Sequence, residues 1–428
     1  LVGIAREVDQ RVEDITHVPL LILGGGISGM GAAFKAKEQG QEFLLLEAAP
    51  QLGGCLSSVE VGGHTLDIGA NSCAISEEFE HFLVQLGLED KILKATALSK
   101  KRYLFHDEKV VPVGGLKDIF GASWLSLKGK WRFATEPFRK RGTAADESVA
   151  SFLSRRIGTE ATKKLVEPVL GGIYAGNIHY LSAATVLEKF KIGEQENGSM
   201  LYTLFKAPPK PRKIISLEGG FGSIGEAFTQ KFTEQVILQS RVQNIEKTSS
   251  GFLVETNRGN FDCKELISAL PAHVLAKLIG GDLECHLQQL AYEELSVSHF
   301  AEDLLQVAFD GFGILIPSSA NMKIKGILFT SSVFHGRAPK RKRNITVFHK
   351  ATNMESIQNE LDSILGDHSR ELLHTYYWKQ AIPQSHVGFG PWKKELLEKL
   401  PHGMYLAGNY LGKVGVADVF SSGYDLKL

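Results

Sequence analysis

The chain has 428 residues, of which 43% are hydrophobic and 22% charged, enough apolar chain for two or three domains with buried cores. Lys plus Arg and Asp plus Glu both number 48, so the formal net charge is zero, and no global field attracts nucleic acid or an acidic partner. The four cysteines, Cys55, Cys73, Cys263 and Cys285, form no CxxC pair and have no histidines at zinc-ligand spacing; neither a disulfide framework nor a metal site is expected, and the cytoplasm is the expected location.

Residues 1–17 are mixed and charged, which suggests a short helical extension. Residues 18–23 follow as an apolar run into Gly-Gly-Gly, the signature of a parallel strand covered on both faces. A helix is expected over residues 28–39 with Gly40 as its stop, then a buried strand over 43–46 that ends at Glu47. No run reaches the roughly 18 apolar residues of a membrane-spanning helix, and no secretory leader is expected.

After this βαβ unit the same pattern returns in pieces. A loop and helix are expected over 219–232, strands over 236–238, 252–256, 261–264 and 266–270, a last strand over 404–407, and a helix from Val416. Two blocks break the doubly wound pattern, and the Pro-rich stretch 206–213 reads as a linker. The expected fold is α/β: a doubly wound, Rossmann-like dinucleotide-binding domain (residues 1–95, 216–285 and 379–428) with an inserted α+β substrate domain (96–215 and 286–378).

Gly24, Gly26 and Gly29 have GxGxxG spacing. The first glycine permits a tight turn, the second lets backbone approach a pyrophosphate, and the third allows close helix packing. The turn, Gly25 and Ser28 included, is the candidate phosphate cradle, because a helix N-terminus offers free N–H groups and a positive dipole end. Glu47, at the end of the next strand, can accept hydrogen bonds from ribose hydroxyls.

Gln51, Leu52, Gly53, Gly54 and Cys55, followed by residues 67–72 with Gly69, Asn71 and Ser72, resemble the second fingerprint of the flavin amine oxidase superfamily. The resemblance implies FAD rather than NAD, although Gln51 and Cys55 stand where basic residues are common. Arg241 and Val242 are similar to the segment that meets the adenine in this superfamily. Val414, Gly415 and Val416 resemble its closing motif beside the flavin, with Lys413 at a place often held by glycine. Cys55 is read as a small buried side chain, so the FAD is expected to be non-covalent.

Within the superfamily, Arg102-Tyr103-Leu104, Glu167-Pro168 with residues 171–176, residues 311–317, 329–334 with 336–339, and 381–384 resemble the protoporphyrinogen oxidase family. The resemblance runs from residue 18 almost to the end. It implies oxidation of a porphyrinogen, protoporphyrinogen IX or coproporphyrinogen III, in haem biosynthesis with molecular oxygen as acceptor. Arg102 would bind a substrate carboxylate, and Gly172, Phe312, Gly313 and Leu315 would form the apolar walls. The chemistry is expected to be flavin-driven, since no acid/base residue stands out. Basic stretches over 128–141, 206–213 and 337–343, the first with Trp131, Phe133 and Phe138, suit peripheral contact with an anionic membrane. An amine oxidase or desaturase on the same fold, or a flavoprotein without turnover, are the alternatives.

Overall fold

The computed structural model describes residues 15–114, 125–206, 212–350 and 353–427. Its first sheet is built on strand Ile15–Leu23, in which Leu20, Leu21, Ile22 and Leu23 are fully buried. This strand lies parallel to Phe43–Leu46 on one side and to Gly259–Ser268 on the other. Val236–Ile237 and Met404–Leu406 extend the parallel part, and Phe252–Thr256 and Val242–Lys247 add an antiparallel flank. Burial on both faces explains the unbroken apolar run.

Two expectations change here. Residues 15–17, read as part of a helical extension, pair with Asn260, Phe261 and Asp262 as strand; residues 1–14 of that extension lie outside the described residues, as does most of the 206–213 linker. The expected strands 261–264 and 266–270 are one strand, Gly259–Ser268. Its first half pairs with Phe252–Thr256 and its second with Met404–Leu406. Glu265, which lies between the two expected strands, is half-buried and accepts bonds from Gln41 Nε2 (3.0 Å) and the Tyr405 hydroxyl (3.3 Å).

Helix Ile27–Glu38 packs against the C-terminal helix Val416–Tyr424 through glycines. A Cβ on Gly423 would stand 1.9 Å from the Ser28 carbonyl oxygen, and one on Gly31 would stand 2.5 Å from that of Phe420. The last helix is thereby brought against the helix that follows the GxGxxG turn.

The second sheet is mixed, in the order Glu371–Pro383, Tyr292–Asp303, Lys342–His349, Ile324–Leu328, Gly313–Leu315, Arg102–His106 and Lys109–Val113. Helix Met354–Leu365 covers one face, burying Ile357, Leu361, Ile364 and Leu365 against Ile314, Ile324, Ile345 and Val347. Helices between residues 125 and 206 form their own core around Phe152, Leu153 and Leu181. Two boundaries drawn from sequence, 215/216 and 378/379, fall inside strands Ile214–Leu217 and Glu371–Pro383.

Candidate functional site

Gly24 turns the chain with φ +97° and donates its N–H to the Leu46 carbonyl at 2.8 Å. A Cβ on Gly29 would lie 1.9 Å from the Gly24 carbonyl oxygen, so helix and turn close up only because residue 29 is glycine. Gly26 differs: a Cβ there would meet nothing within 4 Å. The helix begins at this open position without a side-chain cap and without an acid in its first turn, leaving its N-terminal N–H groups to a ligand.

The second glycine pair lies directly against the first turn. Gly53 N–H donates to the Gly25 carbonyl at 2.9 Å, Gly26 and Gly53 form an isolated bridge, and both Gly53 and Gly54 have positive φ (+124° and +58°). A Cβ on Gly25 would strike Leu52 at 2.2 Å, and one on Gly69 would meet the Cys55 carbonyl oxygen at 2.0 Å. Two glycine turns therefore face each other across one cradle.

Glu47 is fixed beside it. One carboxylate oxygen accepts the Gly25 N–H and the other the Ala49 N–H, each at 2.7 Å, and a carboxylate so held keeps further acceptor sites. Asn71 donates to the Gly69 carbonyl at 2.9 Å and accepts from the Thr346 hydroxyl at 3.2 Å. Cys55, expected to be a small buried side chain, is instead exposed on the cavity wall, because the turn through Gly53 and Gly54 carries it outward rather than into the core. Lys413 is exposed, and the left-handed residue of its turn is Gly412 (φ +106°), so the lysine meets no backbone constraint.

These residues open onto a cavity of about 1750 Å³, more than the roughly 300–1,000 Å³ of a pocket for one small ligand. Gly24, Gly26, Ser28, Glu47, Gly53 and Gly54 line one end, with Gly69, Asn71, Ser72 and Val414. Arg102, Gly172, Phe312, Gly313 and Leu315 line the other. Gly25, Gly29, Val242, Gly415 and Val416 are not on the wall: the first two act through packing, Arg241 reaches the cavity beside Val242, and Val416 is buried in the core behind Val414. The open cradle, uncapped helix and fixed carboxylate fit a dinucleotide, and the volume leaves room for a second ligand.

At the far end Arg102 is exposed at the start of its strand and pairs with Gly313 across the parallel ladder. Its guanidinium stands 5.2 Å from the Phe312 ring centroid, within cation–π range. A Cβ on Gly172 would sit 3.3 Å from Leu315. Sequence reasoning missed many lining residues, among them Tyr376, Lys325 and Trp378, whose indole N–H donates to the Ile68 carbonyl at 2.9 Å. Among the described residues no group of His, Cys, Asp or Glu gathers as metal ligands, and no helix is long and apolar enough to cross a membrane.

Residues 27–425 match the family described as flavin containing amine oxidoreductase. The chain is 26% identical to a coproporphyrinogen III oxidase of Bacillus subtilis (strain 168), over 94% of this chain and 96% of that one. It is 25% identical to protoporphyrinogen oxidase 1 of Spinacia oleracea, over 95% and 82%. A solved structure from Exiguobacterium sp. 255-15, provisionally titled a protoporphyrinogen oxidase, shares the fold with a TM-score of 0.81 at 21% identity, over 96% and 98%. Wild-type putrescine oxidase bound to putrescine shares it with a TM-score of 0.71 at 15% identity, over 96% and 98%. A match running through nearly every strand and helix described above makes the chain a member of the flavin-containing amine oxidoreductases, an FAD-dependent oxidase similar to the protoporphyrinogen oxidases.

Proposed function

We propose that this oxidase converts a porphyrinogen to a porphyrin, using non-covalent FAD and molecular oxygen, in haem biosynthesis. One observation carries the reading: the glycine cradle with Glu47 is continuous, through a single cavity, with an apolar, glycine-bearing wall that has Arg102 at its edge. Bound FAD would accept electron pairs from the substrate and pass them to oxygen. The chain's own share is placement. Gly26, Gly53 and Gly54 admit the pyrophosphate, and Glu47 meets the ribose. Gly172, Phe312, Gly313 and Leu315 offer a flat apolar face, and Arg102 meets a propionate with its planar fork. The first sheet then serves as FAD domain, and the second sheet with its helices as substrate domain.

The helical block between residues 125 and 206 supports contact with a membrane surface. Leu127, Trp131 and Phe138 are 84%, 70% and 88% exposed, with Lys128, Lys140 and Arg141 exposed around them; Phe133, expected in the patch, is buried in the helical core instead, and Arg337 and Arg343 of the 337–343 stretch are buried in ion pairs with Asp67 and Glu302. An apolar patch ringed by cations fits a cytoplasmic protein that rests on anionic lipid.

Anaerobic mixing with reduced porphyrinogens and with candidate amines, followed by flavin bleaching, tests the reading. Porphyrinogens should bleach the flavin and amines should not. In Arg102→Ala the apparent KM for the porphyrinogen should rise with normal flavin content, and kcat/KM should fall about ten- to a hundredfold, the loss of a charge-assisted contact. Bleaching by an amine alone would move the assignment to amine oxidation.

A further inference from the structure

We propose that Lys325 is a second carboxylate anchor, set across the cavity wall from Arg102, and that the pair selects a porphyrinogen with carboxylates on opposite edges of the ring, a tetracarboxylate, over one with acids on a single edge. The inference rests on the porphyrinogen reading above and names the substrate class within it.

The charge on the cavity wall is one-sided. Among the described residues that line it, Glu47 is the only acid, and every other charged residue is a lysine or arginine. Glu47 stands at the cradle end, bonded to Gly25 and Ala49. Arg212 and Lys213 have carboxylate partners of their own, Asp418 at 3.3 Å and Glu80 at 3.8 Å. Lys325 differs from the exposed cations at the mouth, because it is half-buried in the apolar wall beside Gly326 and Leu328.

A backbone irregularity puts it there. In a regular strand, residues 324 and 327 would face opposite sides. Yet Ile324 and Ile327 are both buried in the core beneath helix Met354–Leu365. The register of this strand against Lys342–His349 shifts between Ile324 and Gly326, and such a bulge reverses the alternation. Ile324 is turned into the core, and Lys325 shares the cavity wall with Gly326 and Leu328.

The sheet then sets the spacing to Arg102. Arg102, Gly313 and Leu328 form one row, Leu104, Leu315 and Gly326 the row two residues on, and Lys325 lies just beyond it. Two strand spacings across and nearly three residues along give a Cα separation on the order of 13 Å. Between them lie Gly313, Gly326 and Leu315, so a flat ring can rest on the wall with a cation at each end. Lys325 Nζ donates one hydrogen to the Met322 carbonyl at 2.8 Å, and an ammonium has two more to give. Burial, and then the like charge of Lys350, lower its pKa from the ordinary lysine value and outweigh the opposite pull of Glu360, whose carboxylate oxygens accept the Lys323 and Ile324 N–H groups; a bound carboxylate supplies an opposite charge that offsets both effects. A porphyrinogen with acids on two adjacent rings can satisfy one of these cations but leaves the other without a counterion. One with a propionate on every ring satisfies both.

The test compares coproporphyrinogen III, with acids on all rings, and mesoporphyrinogen IX, with acids on two adjacent rings, in the flavin-loaded protein. Lys325→Gln keeps an N–H for the Met322 carbonyl while removing the charge, and Lys325→Arg keeps the charge. The parent should favour the tetracarboxylate in kcat/KM. Lys325→Gln should lower that preference about tenfold or more, and Lys325→Arg should restore most of it. The dissociation constants of the oxidised porphyrins, read from protein fluorescence without turnover, should show the same order. An unchanged preference in Lys325→Gln, or a parent that favours the dicarboxylate, overturns the anchor. A parent whose flavin is bleached by neither compound and which binds neither porphyrin overturns the porphyrinogen reading, and the anchor with it.

Discussion

Arg337 Nη2 lies 2.8 Å from Asp67 Oδ2, with both side chains 1% exposed. The other oxygen of Asp67 accepts the Ser58 hydroxyl at 2.6 Å and the Phe221 N–H at 2.9 Å. Around this pair, Asn344 donates to the Thr65 carbonyl at 3.2 Å, Thr346 to Asn71, and Trp378 to the Ile68 carbonyl. The segment that carries Gly69, Asn71 and Ser72 is thus gripped by side chains from the second sheet and its loops.

Breaking the buried pair from one side leaves an uncompensated charge, at a cost of about 3–5 kcal/mol. Arg337→Met should therefore unfold at markedly lower denaturant and retain less FAD after gel filtration. Asp67→Asn with Arg337→Met should be less destabilised than the sum of the two single variants. Strict additivity in that cycle would show that the two side chains do not act as a pair.

The glycines of the first turn should fail in different ways. A side chain at Gly26 meets no protein atom within 4 Å but fills the cradle, whereas one at Gly29 collides with backbone at 1.9 Å. Gly26→Val should fold with near-parental stability and come out colourless. Gly29→Ala should lose stability, by about 1–3 kcal/mol or more, because backbone must shift to admit the methyl group. Full FAD occupancy in Gly26→Val, checked by absorbance against protein concentration, would contradict the placement of the pyrophosphate.

Much of the first sheet was legible because its signals are local. An unbroken apolar run, glycines at fixed spacing and a carboxylate at a strand end each report on a few neighbouring residues, and the structure sets them in one βαβ unit. The single strand Gly259–Ser268 read as two because the adjacent charges Lys264 and Glu265 interrupt its apolar residues, while the partners of Glu265, Gln41 and Tyr405, are distant in sequence. Lys325 was illegible for a related reason: its facing depends on a register shift against Lys342–His349, which no periodicity in its own strand reveals. The grip of Arg337 on Asp67 belongs to the same class, since a buried ion pair between remote segments leaves no pattern in either.

The exposed apolar residues of the helical block make a prediction about lipid. Leu127 and Trp131 are one helical turn apart on helix Leu127–Ala134, so their side chains share a face, and Phe138 follows in the next turn of chain. Binding to vesicles containing anionic lipid should be measurable by cosedimentation at low ionic strength and should weaken as salt screens the attraction. Trp131→Ser with Phe138→Ser should weaken it further while leaving flavin content as it was. Equal partition onto neutral and anionic vesicles would remove the electrostatic part.

His299 makes the acid limb of stability predictable. It is fully buried, shares a hydrogen bond of 3.1 Å between Nδ1 and the Thr346 hydroxyl, and lies close to Arg337 and His374. Desolvation first, and then the nearby positive groups, push its pKa down from 6.5 to about 3. The folded protein therefore holds the ring neutral where the unfolded chain binds a proton. The sign follows: the unfolded state takes up more protons as pH falls, so this group's contribution is fully present above about pH 6.5 and is lost progressively toward about pH 3, with a slope of at most about 1.4 kcal/mol per pH unit. His299→Asn removes the titration and keeps a side chain able to bond Thr346. Denaturant unfolding across that window should show a flatter pH profile for the variant than for the parent, the two curves converging in shape above pH 6.5. Parallel profiles over the whole window would mean that the ring is already protonated in the folded protein.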